Sequence, residues 1–211
     1  RRWYPYNKGG GYRKWYGFNE YLIDWYDDAA AIRKIKSAVI ANYQYFMKPG
    51  LTWSTIASGD FSIRWFDEGF IFDNGGCCIF ELQGKREYLA GLLNSIVFKY
   101  IFGELNPTLN FQSGEVAKFP VIFEDNNIIP ILVKENVELA KEDWDSFETS
   151  WDFTTHPLIE YIEKVDYIDN WNDCNYTIKD AYESWKSNCN ERFKLLKNNE
   201  EELNKLFINI Y

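Results

Sequence analysis

The sequence predicts an α+β fold: a mixed α/β body over residues 1–124, then a helical region, 125–211, with a long C-terminal helix. Three observations carry that expectation. Short runs rich in aromatic and β-branched residues, bounded by Gly and Asp, crowd the stretch from Lys48 to Pro120. Beyond Pro120 the apolar residues change to helical spacing. Toward the C-terminus a seven-residue repeat runs unbroken from Tyr182 to Ile210.

Arg1 to Trp25 alternates aromatics with bases around Gly9-Gly10-Gly11 and ends in Tyr21–Trp25, a short strand by composition. The triple glycine permits close backbone approach or a flexible tip. It lacks the Gly-x-x-x-x-Gly-Lys-Ser/Thr spacing of a phosphate-binding P-loop. Ala29 to Phe46 is expected to be helical, with Ile32, Ile35, Val39 and Tyr43 on one face and Lys34 and Lys36 away from it. Pro49-Gly50 ends that helix.

The β-rich stretch opens with residues 48–54 and breaks at Gly59-Asp60. Strands are expected at 61–66, 69–73 and 77–82. A helix follows with a stripe of Leu89, Leu92, Leu93, Ile96, Tyr100 and Ile101, and stops at Gly103. The polar loop 106–113 then leads to Gly114–Pro120.

In the second half, Pro130 is placed in the first turn of a helix whose stripe is Val133, Val137, Ala140 and Trp144. The aromatic segment to Phe153 is expected to pack on a neighbouring body, with another helix over Pro157–Ile162. Residues 169–175 form a polar break, and Thr177-x-x-Asp180 opens the last helix as a capping box. In the repeat Tyr182, Cys189, Leu196, Leu203, Ile210, the companion series Ile178, Trp185, Arg192, Asn199, Leu206 carries two polar residues. That suits packing on other helices better than an autonomous coiled coil.

The net charge of −9 hides an asymmetry. Residues 1–50 hold nine Lys/Arg against four acids, a balance of +5, whereas residues 121–211 hold nine against twenty, a balance of −11. Phosphate neutralisation needs a local basic surface, not a basic total. Any nucleic acid is therefore expected on the first part of the chain, with the acidic run Glu200–Glu202 of the last helix a bystander.

Four cysteines without Cys-x-x-Cys spacing and a single histidine, His156, give no zinc pattern and suit buried thiols in a reducing compartment. No apolar run is long enough to span a bilayer, and a start at Arg-Arg suggests a segment of a longer cytoplasmic protein. No Ser–His–Asp signature surrounds His156, and no paired-carboxylate spacing stands out in the basic half. An aromatic-rich carbohydrate-binding module is disfavoured by the lack of a secretion signal and of disulfide logic.

The runs Trp3–Tyr16, Lys48–Pro120 and Trp144–Phe153 together resemble the BREX phage-defence adenine-specific DNA methyltransferases, the PglX family. More loosely they resemble the large single-chain restriction–modification enzymes. The resemblance implies a fragment downstream of the catalytic domain: a DNA-binding target-recognition domain over 1–124 and a helical spacer or packing region over 125–211. It implies double-stranded DNA, the parent's methyltransferase domain and other phage-defence subunits as partners, with no membrane. S-adenosylmethionine would serve the full-length parent. The fragment itself carries no cofactor signature, because the Asp/Asn-Pro-Pro-Tyr/Phe loop and the Gly-rich cofactor turn are both missing; Asn106-Pro107-Thr108-Leu109 is only a partial match.

Three polar loops, 7–16, 52–60 and 106–113, carry residue types of the kind that read base edges and are the expected DNA-contacting segments. In the first, Lys8, Arg13 and Lys14 are candidates for phosphates, with Trp15 or Tyr16 packing on sugar or base. The same composition also fits an aromatic cluster closing a core, with solvated bases around it. Thr52, Ser54, Asn106, Thr108, Asn110 and Gln112 complete the polar set, although the resemblance places 52–54 and 106–112 in a recurring framework. Arg64, on an aromatic strand, is either a DNA ligand or the partner of Asp67 or Glu68. A protein-interaction module without direct DNA readout remains the alternative function.

Overall fold

The computed structural model describes residues 1–57, 59–80, 82–163 and 177–211. Its strands form two three-stranded sheets. In the first, β1 (Trp3–Asn7) lies between β2 (Tyr21–Asp24), antiparallel, and β5 (Ile71–Phe72), parallel. In the second, β3 (Gly50–Ser54) lies between β4 (Ile63–Phe66) and β6 (Gly76–Ile79), both antiparallel to it.

The second sheet shows the period of two that a sheet covered on both faces requires. Register sets Leu51 against Trp65 and Ile79, and Trp53 against Ile63 and Cys77. These six belong to the main core, packed on the helices. The alternate positions, Thr52, Arg64 and Cys78, form a cross-strand polar row on the other face. That face is covered by the loop between β1 and β2. Trp15 donates its N–H to the Ile63 carbonyl at 3.0 Å and accepts from the Trp65 N–H at 2.7 Å, extending the sheet by one residue.

The helices are α1 (Tyr26–Arg33), α2 (Arg86–Leu93), α3 (Ile96–Leu105), α4 (Ser113–Val116), α5 (Ile128–Asp145), α6 (Pro157–Glu163) and α7 (Ile178–Ile210). Pro130 sits in the first turn of α5, which buries Val133, Ala140 and Trp144 as the stripe requires. Thr177 and Asp180 close the capping box of α7 in both directions. Gly91 of α2 lets α5 and α7 approach, since a Cβ there would lie 3.0 Å from Val133 Cγ2 and 3.2 Å from Phe207 Cε2. The main core thus runs from Trp15 and Trp53 through Phe98 and Phe111 to Val133 and Phe207, across both halves of the chain.

Several expectations are corrected. The strand expected at 69–73 shortens to 71–72 and pairs with β1, a strand the composition did not reveal. Pro5 is tolerated in that central strand because β5 pairs only with Tyr6 and Asn7. The helix expected over 29–46 ends at Arg33, and Asp27, Asp28, Ala29 and Asn42 carry positive φ. Backbone pairing overrides the helical pattern there: Met47 donates to the Phe70 carbonyl at 2.9 Å and accepts from Gly69 at 3.1 Å. A second, small core of Trp25, Ala29 and Ile71 gathers Ile40, Phe46 and Met47, leaving Val39 exposed.

The helix expected over 89–101 is two helices, and the second passes Gly103 to end at Leu105. Ser95 caps α3 by accepting from the Phe98 N–H at 3.3 Å. Neighbouring Asn94 grips Ile63 of β4 with two bonds of 3.0 Å, so Ile96 and Tyr100 turn to solvent. In α7 the buried positions are Ala181, Asn199, Leu203 and Phe207, while Tyr182 is exposed. The expected break at 169–175 and Cys174 lie outside the described residues.

One member of the acidic run of α7 has a structural role in the fold. Glu200 accepts from the indole Nε1 of buried Trp15 at 2.7 Å and from Lys14 Nζ at 2.9 Å. Among the described residues, Glu201 and Glu202 pair with Lys197 and Lys205 on the surface of the same helix. Glu200→Lys should therefore lower the unfolding free energy by about 1–3 kcal/mol in urea titration, because it orphans a buried donor. Glu201→Lys and Glu202→Lys should each stay within about 1 kcal/mol. An unchanged midpoint for Glu200→Lys would contradict this role.

Candidate nucleic-acid interface

Three loops distant in sequence meet at one end of the second sheet. Just past β3, Thr55 donates its N–H to Gly75 at 3.0 Å and its hydroxyl to the Asn74 carbonyl. It also accepts from the Phe111 N–H at 2.6 Å. Ile56 bridges to Asn110, and Ala57 donates to Leu109 at 3.4 Å. Ser54 Oγ reaches the Gly11 carbonyl at 3.3 Å. Glycine is required at the tip, because a Cβ on Gly9 would collide with the Gly75 carbonyl.

The twelve candidate residues divide by orientation. Lys8, Thr108, Asn110 and Gln112 face solvent. Lys8 Nζ lies 5.1 Å above the Tyr21 ring. Gln112 donates to Asn110 Oδ1 at 3.1 Å, and Thr108 donates to Asn106 Oδ1 at 2.7 Å. Buried Asn106 spends its amide on the Asn110 carbonyl at 2.9 Å, holding its own loop in shape.

The other first-loop candidates are engaged inside the fold. Arg13 pairs with Asp143 at 2.8 Å, donates to the Tyr16 carbonyl at 2.8 Å and lies over the Trp144 ring. Lys14 and Trp15 bind Glu200, and half-buried Tyr16 lies beneath Lys141 Nζ. Burial and the nearby carboxylate of Asp145 raise the Tyr16 phenol pKa against the opposing charge of Lys141. Thr52 is buried and donates to the Cys77 carbonyl at 3.0 Å. Arg64 is also buried, and among the described residues it pairs with neither Asp67 nor Glu68; Asp67 lies beside Arg86 instead.

Sequence reasoning missed part of this end. Ile56, 73% exposed, and exposed Leu109 stand beside Asn110, apolar side chains the core does not use. Lys99 pairs with Asp60 at 2.6 Å, close to exposed Tyr12. Tyr12 and Lys99 come from segments with no shared pattern, so only the fold unites them.

The residues here do not fit S-adenosylmethionine. The glycine tip is closed on the backbone of Gly75 and on the Phe18 ring rather than opening a nucleotide cradle. Asn106, which would have to hold an adenine amino group, is consumed by its own loop.

No protein-family model matches the chain. Among curated proteins it is 36% identical, over all of its length, to the adenine-specific methyltransferase PglX of Lacticaseibacillus casei strain Zhang. It is 39% identical, over 79% of its length, to the adenine-specific methyltransferase BrxX of Escherichia coli O9:H4 strain HS. The chain spans only 18% and 14% of the lengths of these two relatives. The match runs through the sheet, the converging loops and the helices alike, and it places the chain in the PglX/BrxX family of adenine-specific methyltransferases, as a segment of such a protein.

Proposed function

We propose that this segment docks duplex DNA for a site-specific adenine-N6 methyltransferase of bacterial phage defence. The observation that carries the reading is the convergence of the 7–16, 52–60 and 106–113 loops at one end of the second sheet. Asn110 and Gln112 bear amides of the kind that read base edges in the major groove, and Lys8 supplies a phosphate contact. Residues 1–124 act as the recognition unit, and 125–211 as the helical packing region that holds it. Methyl transfer and S-adenosylmethionine belong to the parent's catalytic domain.

Arg13 and Lys14 are poor probes of this reading, because their loss also breaks ion pairs with Asp143 and Glu200. Lys8 is the clean one. In the full-length enzyme, Lys8→Gln should reduce the log–log salt slope of duplex binding by about 0.9 without changing site preference. Asn110→Ala or Gln112→Ala should cost about 1–3 kcal/mol on the cognate duplex and little on a random one. Wild-type binding in all three variants would favour a protein-interaction module instead.

Calorimetry of the 211-residue chain with S-adenosylmethionine should give no saturable heat at micromolar concentration. Saturable binding would overturn the assignment of the cofactor to the parent's other domain.

A further inference from the structure

Arg64 is the most anomalous group in the fold. It is 2% exposed, yet among the described residues its Nε and Nη1 have no hydrogen-bond partner, and Nη2 reaches Ser54 Oγ alone, at 3.4 Å. Among the described residues no carboxylate is paired with it. Its neighbours sharpen the anomaly. Burial pushes the Cys78 thiol up to about 12, so that neighbour is neutral near pH 7, and the other nearby charge is the cation Arg13. Desolvation lowers the Arg64 guanidinium to about 10, which still leaves it protonated. A buried, unpaired cation is strongly unfavourable, and a fold that retains one calls for a reason.

The cover over Arg64 suggests that reason. Its guanidinium lies 5.0 Å from the centroid of the Phe18 ring, which in turn fills the space left by Gly10. The covering segment is rich in left-handed backbone: Trp15 at φ 68°, Gly17 at 125° and Phe18 at 61°. For Phe18, which covers Arg64, that is strain that a swing of the ring segment would release, whereas Trp15 is held in place by the sheet and by Glu200. Ser54, the hydrogen-bond partner of the Arg64 guanidinium, also donates to the Gly11 carbonyl, so Arg64 is linked through Ser54 to the glycine tip of the loop cluster.

We propose that Arg64 is a phosphate receptor, taking one backbone phosphate of the duplex when the glycine tip and the Phe18 ring swing aside while Trp15 keeps its bonds to the sheet and to Glu200. The inference rests on the DNA-docking reading above and names the buried cation that anchors it. A phosphate supplies the charge and the acceptor oxygens that the guanidinium lacks, in the planar geometry arginine favours.

The test uses the full-length enzyme with Arg64→Met and Arg64→Lys, measuring duplex affinity at several salt concentrations and the melting temperature. Arg64→Met should keep or raise the melting temperature, since an apolar side chain replaces an unpaired charge. It should weaken duplex binding about tenfold or more and lower the salt slope by about 0.9. Arg64→Lys should retain the slope while losing part of the affinity. A lowered melting temperature or a lost fold in Arg64→Met, with Arg64→Lys binding duplex normally, would make the residue structural and overturn the proposal. Inorganic phosphate that stabilises the wild type but not Arg64→Met, with duplex binding unaltered, would assign the site to a free anion and overturn its DNA role. If Lys8 or Asn110 variants weaken binding while Arg64→Met does not, only this inference falls. If none of them does, the docking reading falls with it.

Discussion

One carboxylate ties the two halves of this chain together. Glu200 of α7 accepts from the buried indole of Trp15 and from Lys14. Trp15 is itself an extra rung of the second sheet, bonded to Ile63 and Trp65. Glu200 thus fixes the last helix against the β1–β2 loop and the central strands, in addition to the core that Phe207 shares with α2 and α5. Because the indole is buried, the bond is expensive to break even though surface ion pairs elsewhere on α7 are cheap. Arg13 reinforces the same junction by pairing with Asp143 at the end of α5.

The sheet that this junction supports has two different faces. Leu51, Trp53, Ile63 and Trp65 pack toward the helices, and the strict alternation of strands sends Thr52, Arg64 and Cys78 the other way. The second face would be a liability if it were open, and the glycine tip and Phe18 close it. The exposed groups of the candidate interface sit at the edge of that cover. The basic charge read from the first fifty residues is therefore not all free for a ligand: two of its nine cations, Arg13 and Lys14, pair with Asp143 and Glu200 and join the body to its acidic helices.

How much of this was legible in the sequence follows from locality. The capping box of Thr177 and Asp180 and the α5 stripe of Val133, Ala140 and Trp144 depend on neighbours three or four residues apart, and the sequence displays them. The segment from Arg33 to Met47 misleads because its helical pattern yields to backbone pairing with Gly69 and Phe70. Tyr100 misleads because a break at Asn94-Ser95 rotates the following helix. For the site, the three polar loops could be picked out, but not their meeting. Nor could any spacing show that Lys14 and Trp15 are held by a residue nearly two hundred positions away.

The central claim is that the convergent loops, positioned by the Glu200 junction, are the DNA-facing end of the segment. Site-specific photo-crosslinking in the full-length enzyme addresses it directly. A photoreactive side chain at Ile56, exposed among those loops, is compared with one at Phe193, exposed on α7. On cognate duplex, the account predicts adducts from position 56 and none from position 193. Adducts from position 193 alone would contradict it.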